Sequence, residues 1–563
     1  DAKTSNILVA AAAGSGKTAV LVERIMKKIC DREHPVDIDE ILIVTFTIDA
    51  ASQMRDRIRK AIDLKLADNP YDDNLLRQSE RLNFASIMTL DAFCAEAVKR
   101  NFQALNIDPS FRILEDAEGK ILREQAIEEV IEEFHEAGNP LFFEMLEMYS
   151  GNRNDSELRE LLKDLIEFAN SSTYPNEWLR SSANHLLAIQ TYDDLQNSVF
   201  MKHTLDSIKT RLQSAVNHMS DLLELCHKTA GPWFYEDTFT DDIAFLNSLI
   251  REPSFAQIGR MIKEHKFARI ASAPKKEPFN QVWKEYAQAQ RDIMKKTVAD
   301  IEKSFFKDDV DRYVSDIQNC APAVSMLCEL AIACRGRMRQ KMDEVNAYDF
   351  SEVEHMTLDL FLENHDGVIT YTDIARKYRS FFKEIMVDEY QDSNYVQEFF
   401  LKAVSGEDDG KPNMFMVGDI KQSIYRFRMA RPELFVGKYD SFDSDEGSAN
   451  RKILLNRNFR SRKIILDGVN RVFAKIMMKS IGDVEYDENA FLKYRKDEGP
   501  DDNEEPYHNE ILLVKQDEVE SKGNAEIAAI IKRIRELTHP VNGLRISDDN
   551  GGHPARFCDI AIL

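Results

Sequence analysis

Cysteine is scarce in this 563-residue sequence, which contains seven cysteines and no Cys-x-x-Cys pair. Cys320, Cys328 and Cys334 lie closest together, but their spacings suit neither a zinc ribbon nor an iron–sulfur site. An odd number of dispersed cysteines is typical of reduced thiols packed in a core. The cysteine pattern therefore favours neither a disulfide framework nor a metal centre.

Positive charge is in deficit, with 74 lysines and arginines against 98 aspartates and glutamates and a formal net charge of −24. Such a chain does not coat nucleic acid non-specifically, because phosphate binding requires lysine and arginine. Net charge is a sum, however, and a basic groove on an acidic body is compatible with it. Charge alone leaves the binding partner open.

Long apolar runs are also missing, and residues 1–6 lack the basic and then apolar layout of a signal peptide. No stretch is predicted to cross a bilayer. We therefore expect a cytoplasmic protein, and the length of the chain predicts several domains.

The strongest signal that is present lies between Ile7 and Ile25, where a short apolar strand, a loop of small residues and an amphipathic helix follow one another. In such a Walker A loop, backbone N–H groups bind phosphates, Lys17 neutralises the β- and γ-phosphates, and the Thr18 hydroxyl ligates Mg²⁺. The alternative is a strand-to-helix turn that binds nothing. The pattern favours ATP and Mg²⁺ as cofactors, with the nucleotide bound by Ala11, Ala12, Ala13, Gly14, Ser15, Gly16, Lys17 and Thr18.

An acidic pair follows a second apolar strand at Val387-Asp388-Glu389. Asp388 is placed to hold Mg²⁺, and Glu389 is placed to orient and deprotonate an attacking water. An acidic pair after a strand is weak evidence alone, but together with the phosphate loop it predicts a nucleotide hydrolase.

Two later segments add polar and aromatic groups after strands. Gln422 is a candidate sensor of the γ-phosphate, and Tyr425, Phe427 and Arg428 alternate aromatic and basic groups as a single-stranded nucleic-acid surface does. The competing interpretation places the two aromatic side chains in the core. In the second segment, Arg460 is the candidate for stabilising charge on the transferred phosphoryl group, and Phe459 is a candidate to stack on adenine.

The order of elements predicts the α/β class, with alternating strands and helices in a parallel, doubly wound sheet. Residues 109–382 lack strand-like alternation and are predicted to form an all-helical insertion. Apolar runs at 511–514 and 557–563 are predicted to be strands.

The motifs, taken together and in order, resemble those of superfamily 1 DNA helicases of the UvrD/Rep type. Within that family, the alanine-rich loop and the large helical insertion most resemble the AddA group of helicase–nuclease subunits. The matching segments are motif I (11–18), Ia (45–54), Ib (89–94), II (388–392, with Gln397), III (417–430) and IV (455–461).

This resemblance implies two RecA-like ATPase domains that translocate along DNA in the 3′→5′ direction. It divides the chain into a first ATPase domain in two parts (1–108 and 383–450), a helical insertion (109–382) and the start of a second ATPase domain (451–563). It implies an ATP-dependent DNA helicase in double-strand break repair. The implied partners are single-stranded and duplex DNA ends and an AddB-like subunit.

The predicted DNA path crosses the top of the first domain over Phe46, Thr89, Tyr425, Phe427 and Arg428. The four uncharged residues all follow predicted strands, and ligands of open α/β sheets gather at the carboxyl ends of strands. We expect Tyr425 and Phe427 to face the same side of an extended segment.

Three residues depart from the family pattern: Ile48 and Asp49 in motif Ia and Asp91 in motif Ib. The family also implies that motifs V and VI and a nuclease domain lie beyond Leu563, so that the present residues form an incomplete motor. A stand-alone repair helicase without a nuclease and a non-catalytic DNA-binding scaffold are the two alternatives. The presence of Lys17 and Glu389 disfavours the scaffold.

Overall fold

The computed structural model describes residues 5–150, 155–274, 278–365, 368–479, 484–494, 509–514, 524–546 and 553–563. Its strands are β1 Asn6–Ala11, β2 Ile41–Thr45, β3 Ile87–Thr89, β4 Arg112–Ile113, β5 Ala347–Tyr348, β6 Leu362–His365, β7 Val368–Tyr371, β8 Glu384–Val387, β9 Met414–Gly418, β10 Asn450–Leu455, β11 Arg457–Asn458, β12 Lys493–Tyr494, β13 Arg545–Ile546 and β14 His553–Pro554. Its helices are α1 Lys17–Ile29, α2 Ile48–Asp68, α3 Asp73–Arg81, α4 Leu90–Arg100, α5 Phe102–Leu105, α6 Asp116–Ala137, α7 Pro140–Tyr149, α8 Ser156–Asn170, α9 Pro175–Leu187, α10 Tyr192–Gln196, α11 Val199–Cys226, α12 Glu236–Arg251, α13 Phe255–Glu264, α14 Gln281–Phe305, α15 Val310–Glu344, α16 Phe350–Phe361, α17 Asp373–Phe381, α18 Tyr395–Val404, α19 Pro432–Ser441, α20 Lys463–Ile476 and α21 Asn524–Leu537.

Six strands form one sheet in the order β10-β1-β9-β8-β2-β3. Every pairing in this sheet is parallel, with Val9 beside Val417 and Val44 beside Val387. The parallel α/β class predicted from the alternating strands and helices is confirmed. Because all strands run in one direction, the loops that follow them meet at one edge of the sheet.

The central strands are short runs of branched apolar residues, and their side chains are buried on both faces, as parallel sheets require. On one face, Val9, Ile43 and Phe415 form a core with Leu21 and Ile25 of α1. This packing fixes α1, and therefore the loop before it, against the sheet.

The strand β10 differs from the predicted domain division, which placed residue 451 at the start of a second ATPase domain. Residues 450–455 pair in register with residues 6–11 of β1, and Ile453 and Leu455 pack against the core of the sheet. Backbone hydrogen bonding and apolar packing therefore make β10 the edge strand of the first sheet. The described residues after β10 add α20, α21 and two small two-stranded sheets.

The chain divides into two compact units, residues 1–89, 379–393 and 405–563 in the first and residues 90–378 and 394–404 in the second. The second unit is largely helical and has two apolar cores, one around α11 and α12 and one around α15. The predicted helical insertion is confirmed, and it also contains two small two-stranded sheets, β4 with β5 and β6 with β7.

The helix α15 is the one described helix that is long and apolar enough to cross a membrane, by length and composition alone. The sequence analysis did not single out this stretch. Its buried residues, among them Leu327, Leu330 and Cys334, form a core with Leu162 of α8 and Leu179 of α9. The apolar character of α15 therefore serves packing in the second unit.

Two predicted strands do not form. Residues 511–514 have no regular structure, with Ile511 and Leu513 almost fully exposed, and residues 557–563 begin with a single 3₁₀ turn, Phe557–Asp559. A strand requires a hydrogen-bonding neighbour, and neither segment is paired in any sheet of the described residues.

Glu354 of α16 lies where this helix packs against α4 and α18 in the second unit. Its Oε1 accepts a hydrogen bond of 2.9 Å from Gln397 Nε2. Burial, with a smaller contribution from the charge of Asp91, raises the pKa of Glu354 to about 7. The folded protein therefore holds a proton at pH values where the unfolded chain has released it.

A Glu354→Gln variant tests this assignment. Between the ordinary pKa of 4.5 and about 7, the free energy of unfolding of the natural protein should fall as pH rises, because only the folded state holds the proton. Glutamine removes this slope, so the melting temperature should rise by a few degrees at pH 8 and change little at pH 5. Thermal melts at both pH values, with the exposed Glu132→Gln as control, make the measurement, and an equal shift at both pH values would contradict it.

Candidate nucleotide site and the adjoining aromatic edge

The predicted phosphate loop lies between β1 and α1, at the carboxyl edge of the sheet. Gly14 and Gly16 adopt φ angles of 69° and 88°, a left-handed conformation that glycine tolerates best. A hydrogen bond of 3.1 Å from Ser15 N to Ala12 O closes the turn. The loop therefore has the tight backbone that brings N–H groups towards a bound anion.

Asn458 of β11 holds this loop from the side. Its Nδ2 donates to Ala13 O at 2.7 Å, and its Oδ1 accepts from the backbone N–H groups of Arg460 and Ser461 at 2.8 and 2.7 Å. A Cβ on Gly14 would lie 2.6 Å from Asn458 Nδ2, so the contact also requires glycine there. One buried amide thus links the phosphate loop to the segment that carries Arg460.

The ammonium of Lys17 pairs with the carboxylate of Glu389, with Nζ at 2.8 Å from Oε1 and 2.6 Å from Oε2. Glu389 follows β8 and adopts φ 49° and ψ 44°, an uncommon conformation for a residue with a side chain. Such backbone strain is often found where a functional side chain is held in a fixed direction. The sheet thus brings together the two residues that the sequence predicts for phosphate binding and water activation.

Gln391 connects the acidic segment to the next strand. Its Nε2 donates to Glu389 Oε2 at 2.9 Å, and its Oε1 accepts from Asp419 N at 3.0 Å. Asp419 in turn accepts a hydrogen bond of 2.8 Å from Gln422 Nε2. A Cβ at position 418 would lie 2.4 Å from Gln391 Oε1, so Gly418 permits this connection. The predicted sensor Gln422 is therefore linked to Glu389 through a short chain of hydrogen bonds.

A cavity of about 360 Å³ opens above the phosphate loop. Its lining includes all four residues that the sequence predicts to be catalytic. The residues that line it are Ala13 to Ala19, from the loop and the start of α1, together with Arg57, Glu389, Gln422 and Arg460.

Electrostatics in this region favour a cation near the carboxylates. Burial and the charge of Glu389 raise the pKa values of Asp388 and Asp392 to about 6 each. Ser15 Oγ and Asp392 Oδ1 are buried without a hydrogen-bond partner among the described residues. The oxygen donors of this region are the kind that Mg²⁺ prefers, and the cations of the cavity suit a triphosphate. The residues therefore fit Mg-ATP.

The predicted residues Arg460 and Phe459 occupy different positions. Arg460 lines the cavity. Phe459 donates its backbone N–H to Gly14 O at 2.9 Å, and its side chain is 55% exposed outside the cavity lining. The predicted domain division places Arg460 in a second ATPase domain. In the structure, Arg460 follows β11 closely after β10, and β10 is a strand of the first sheet.

Aromatic side chains cluster at the same edge of the sheet. The rings of Phe46 and Tyr425 are stacked with centroids 4.6 Å apart, and Phe427 lies 5.9 Å from Tyr425. The guanidinium of Arg428 lies 5.4 Å from the Tyr425 ring and 5.7 Å from the Phe427 ring. Thr89 ends β3 and is in register with Thr45, immediately before Phe46.

The two rings of the aromatic pair differ in exposure, because Phe427 is exposed and Tyr425 is half-buried, so the core interpretation is excluded for Phe427 only. Phe427 is 71% exposed, and Phe46 is 37% exposed, so Phe427 is not a core residue. Residues 426–428 form a 3₁₀ turn, and the expected extended segment is absent. The turn still keeps the two rings close together on an accessible surface.

The residues that depart from the family pattern are placed differently. Ile48 is 78% exposed at the start of α2. Asp91 lies in the first turn of α4 in the second unit, where burial raises its pKa.

Comparison with known proteins gives the family. Residues 1–443 match the UvrD/REP helicase N-terminal domain. The chain belongs to the UvrD/REP helicase family. This result confirms the resemblance inferred from the order and spacing of the six motifs.

Within the UvrD/REP family, the chain is similar to curated proteins that are named as ATP-dependent helicase/nuclease subunits of the AddA type. The protein of Acetivibrio thermocellus is 39% identical over 500 residues, which cover 87% of this chain and 39% of the relative. The proteins of Clostridium beijerinckii and Bacillus pumilus are each 35% identical, over 100% and 99% of this chain and 47% and 46% of the relatives. The chain thus spans less than half the length of these relatives.

Arg57, Gln391 and Asn458 are three site residues that the sequence analysis missed. Arg57 lies on the exposed side of α2, and its charge lowers the pKa of Asp388 in opposition to burial. Gln391 and Asn458 lie inside motifs II and IV, which was a usable signal for both, but the sequence analysis gave neither residue a role. No local signal linked Arg57 to Asp388, because Arg57 lies on α2 and Asp388 follows β8, far away in the sequence.

The role of Asn458 can be tested with an Asn458→Ala variant. Alanine removes three hydrogen bonds that join the phosphate loop to the Arg460 segment, so nucleotide affinity should fall about tenfold, or about 1.4 kcal/mol. The measurement is fluorescence titration with a labelled ADP analogue. Asn456→Ala, two residues earlier, is the matched control and should bind normally. Equal affinity in the two variants would remove Asn458 from the site.

Proposed function

We propose that this UvrD/REP-family chain is the ATP-binding, DNA-translocating part of a 3′→5′ DNA helicase, the N-terminal part of a helicase–nuclease subunit. One observation carries the proposal. Lys17, Glu389, Gln422 and Arg460 come from four separate segments and line one cavity above a phosphate loop. A scaffold without catalysis has no need to keep all four in this arrangement.

Each residue has a proposed role in ATP hydrolysis. Lys17 binds the β- and γ-phosphates together with the loop N–H groups, and Thr18 and Asp388 hold Mg²⁺. Glu389 orients and deprotonates the attacking water. Gln422 contacts the γ-phosphate, and Arg460 stabilises its developing charge, with Arg57 as a further cation near the carboxylates. Phe459 stacks on the adenine from its exposed position beside the loop.

The ion pair between Lys17 and Glu389 occupies both groups that this ATPase mechanism uses. Phosphate oxygens that bind Lys17 compete with Glu389 for the same ammonium group. Nucleotide binding would therefore free the Glu389 carboxylate to act on water. Nucleotide binding and activation of the base are coupled through one ion pair.

Two substitutions separate binding from hydrolysis. Lys17→Ala removes the charge that faces the phosphates, so nucleotide affinity should fall by at least about tenfold. Glu389→Gln keeps the shape and removes the base, so binding should persist while turnover falls by about a hundredfold or more. Both effects are measured by nucleotide titration and by steady-state phosphate release, with a protein that has the full length of its relatives.

The exposed Lys60→Ala on α2 is the control for loss of a surface charge, and it should behave like the natural protein. Unchanged turnover in Glu389→Gln would remove the general-base assignment.

The aromatic edge is the proposed path of single-stranded DNA. Phe46, Tyr425 and Phe427 offer stacked or exposed rings to bases, and Arg428 offers a cation to phosphates. Thr89 lies beside this surface at the end of β3. Stacking on aromatic rings accepts any base, which suits a motor that must move along any sequence.

Phe427→Ala tests the stacking role. Loss of one base-stacking ring should weaken single-stranded DNA binding about tenfold, with little dependence on sequence. Arg428→Ala should instead flatten the salt dependence of binding, because one phosphate contact is lost. Fluorescence-anisotropy titrations and melting temperatures are measured on the same samples.

Because Phe427 is exposed, its replacement should leave the melting temperature nearly unchanged. Ile424→Ala, an exposed apolar residue in the same segment, is the matched control for loss of apolar surface. A large loss of stability with intact DNA affinity would contradict the stacking assignment.

The names of the relatives and the family resemblance support a proposal for the wider role. We propose that the protein acts in the cytoplasm on single-stranded and duplex DNA ends in double-strand break repair and recombination. We also propose that it works with an AddB-like partner and carries its nuclease in a part of the protein outside this chain.

A further inference from the structure

Glu384, the first residue of β8, is a carboxylate with 2% exposure, and it lies far from the proposed phosphate site along its strand. Its Oε1 pairs with Arg24 Nε, and its Oε2 lies 2.7 Å from Lys28 Nζ. Both cations belong to α1, the helix that follows the phosphate loop. One buried carboxylate therefore binds two turns of a single helix.

The position of Phe415 strengthens this contact. The guanidinium of Arg24 lies 4.5 Å from the centre of the Phe415 ring on the neighbouring strand β9. Arg24 is thus held by a charge on one side and by an aromatic face on the other. A half-buried guanidinium with two fixed neighbours has little freedom to move along the sheet.

The sheet order explains why α1 needs such a contact. The helix α1 follows β1, but β9 separates β1 from β8 in the sheet. Apolar packing already holds α1 against the sheet, and the ion pairs add a direct contact between α1 and β8. Three ion pairs make that contact, Lys17 with Glu389 at one end of the helix and Glu384 with Arg24 and Lys28 at the other.

The distance between the contact at Glu389 and the contact at Glu384 is similar along α1 and along β8. Lys17 and Lys28 are eleven residues apart in sequence, which is about 16 Å along a helix. The five residues from Glu384 to Glu389 cover at most about 16 Å along β8 and the turn after it. The ion pairs of Glu384 thus fix the position of α1 along β8, and with it the position at which Lys17 meets Glu389.

We infer that Glu384 is a positioning residue, which holds α1 and β8 in the register that aligns the phosphate-binding residues with the acidic residues of the site. This inference rests on the proposed function, because it concerns the ATPase reaction. Glu384 is not among the residues that line the phosphate cavity, so it acts through Arg24 and Lys28.

A shift of α1 relative to β8 should affect nucleotide binding and catalysis differently. The loop, Lys17 and Thr18 are continuous with α1, so they keep their mutual geometry if α1 shifts. Asp388 and Glu389 are continuous with β8. Loosening the contact at Glu384 should therefore preserve nucleotide binding, but it should misplace Glu389 and raise the Mg²⁺ concentration needed for half-maximal activity.

A Glu384→Gln variant of the protein at the length of its relatives tests this separation. Small misplacements of catalytic groups can cost as much as about a hundredfold, so we expect kcat to fall about tenfold. Affinity for a labelled ADP analogue should stay within about twofold of the natural value, because the binding residues move together. The same samples give the melting temperature.

Two controls separate positioning from general destabilisation. Glu23→Gln makes the same chemical change on an exposed face of α1 and should leave kcat unchanged. Ile62→Ala removes buried apolar volume from α2 and should lower the melting temperature, with kcat unchanged below the melting transition. If Glu384→Gln does not fold, Lys28→Met replaces it, because this variant removes one cation and keeps the pair with Arg24.

The outcomes are distinguishable. A fall in kcat with nucleotide affinity intact supports the inference. A loss of melting temperature without a fall in kcat, or a parallel fall in affinity and kcat, overturns it. Absence of ATP hydrolysis in the natural protein would instead refute the proposed function, whatever the variants show.

Discussion

The ion pair between Lys17 and Glu389 is the interaction on which the candidate site depends. Its partners are 372 residues apart in the chain, and they meet because β1 and β8 point in one direction in the same sheet. Parallel strands bring their following loops to a common edge, so residues from distant segments converge without long connections near the site. Gln422 and Arg460 reach the same cavity by this route, one after β9 and the other after β10.

The acidity of the chain has little influence on this site. The formal net charge is −24, yet Lys17, Arg57 and Arg460 line one small cavity. Short distances and partial burial make local charges dominate, because distant surface charges are screened by salt within about 10 Å. The same reasoning applies at the aromatic edge, where Arg428 lies over two rings. A negative total charge is therefore compatible with local sites for phosphate.

Sequence reasoning succeeded where the signal is local. The loop between β1 and α1, the acidic pair after β8 and the alternation of strands and helices each depend on a few neighbouring residues, and the structure has them where they were predicted. Sequence reasoning failed for features of the fold and the site that long-range contacts determine. The position of β10 depends on pairing with β1, more than 400 residues earlier, and the roles of Arg57 and Asn458 depend on neighbours from other strands. The apolar runs at 511–514 and 557–563 show the same limit, because an apolar pattern predicts a strand only if a partner strand is available.

The longest stretch of chain between two consecutive strands of the sheet, from β3 to β8, costs little conformational entropy. The second unit enters the chain between β3 and β8, which both pair with β2. The entropy lost on closing a loop grows only with the logarithm of its length, and this insertion is folded around its own cores, which reduces the cost further. The sheet therefore constrains only the ends of the insertion. Lys17 and Glu389 both belong to the first unit, so their alignment depends on the strands of its own sheet, and a change at the ends of β8 alters the site directly.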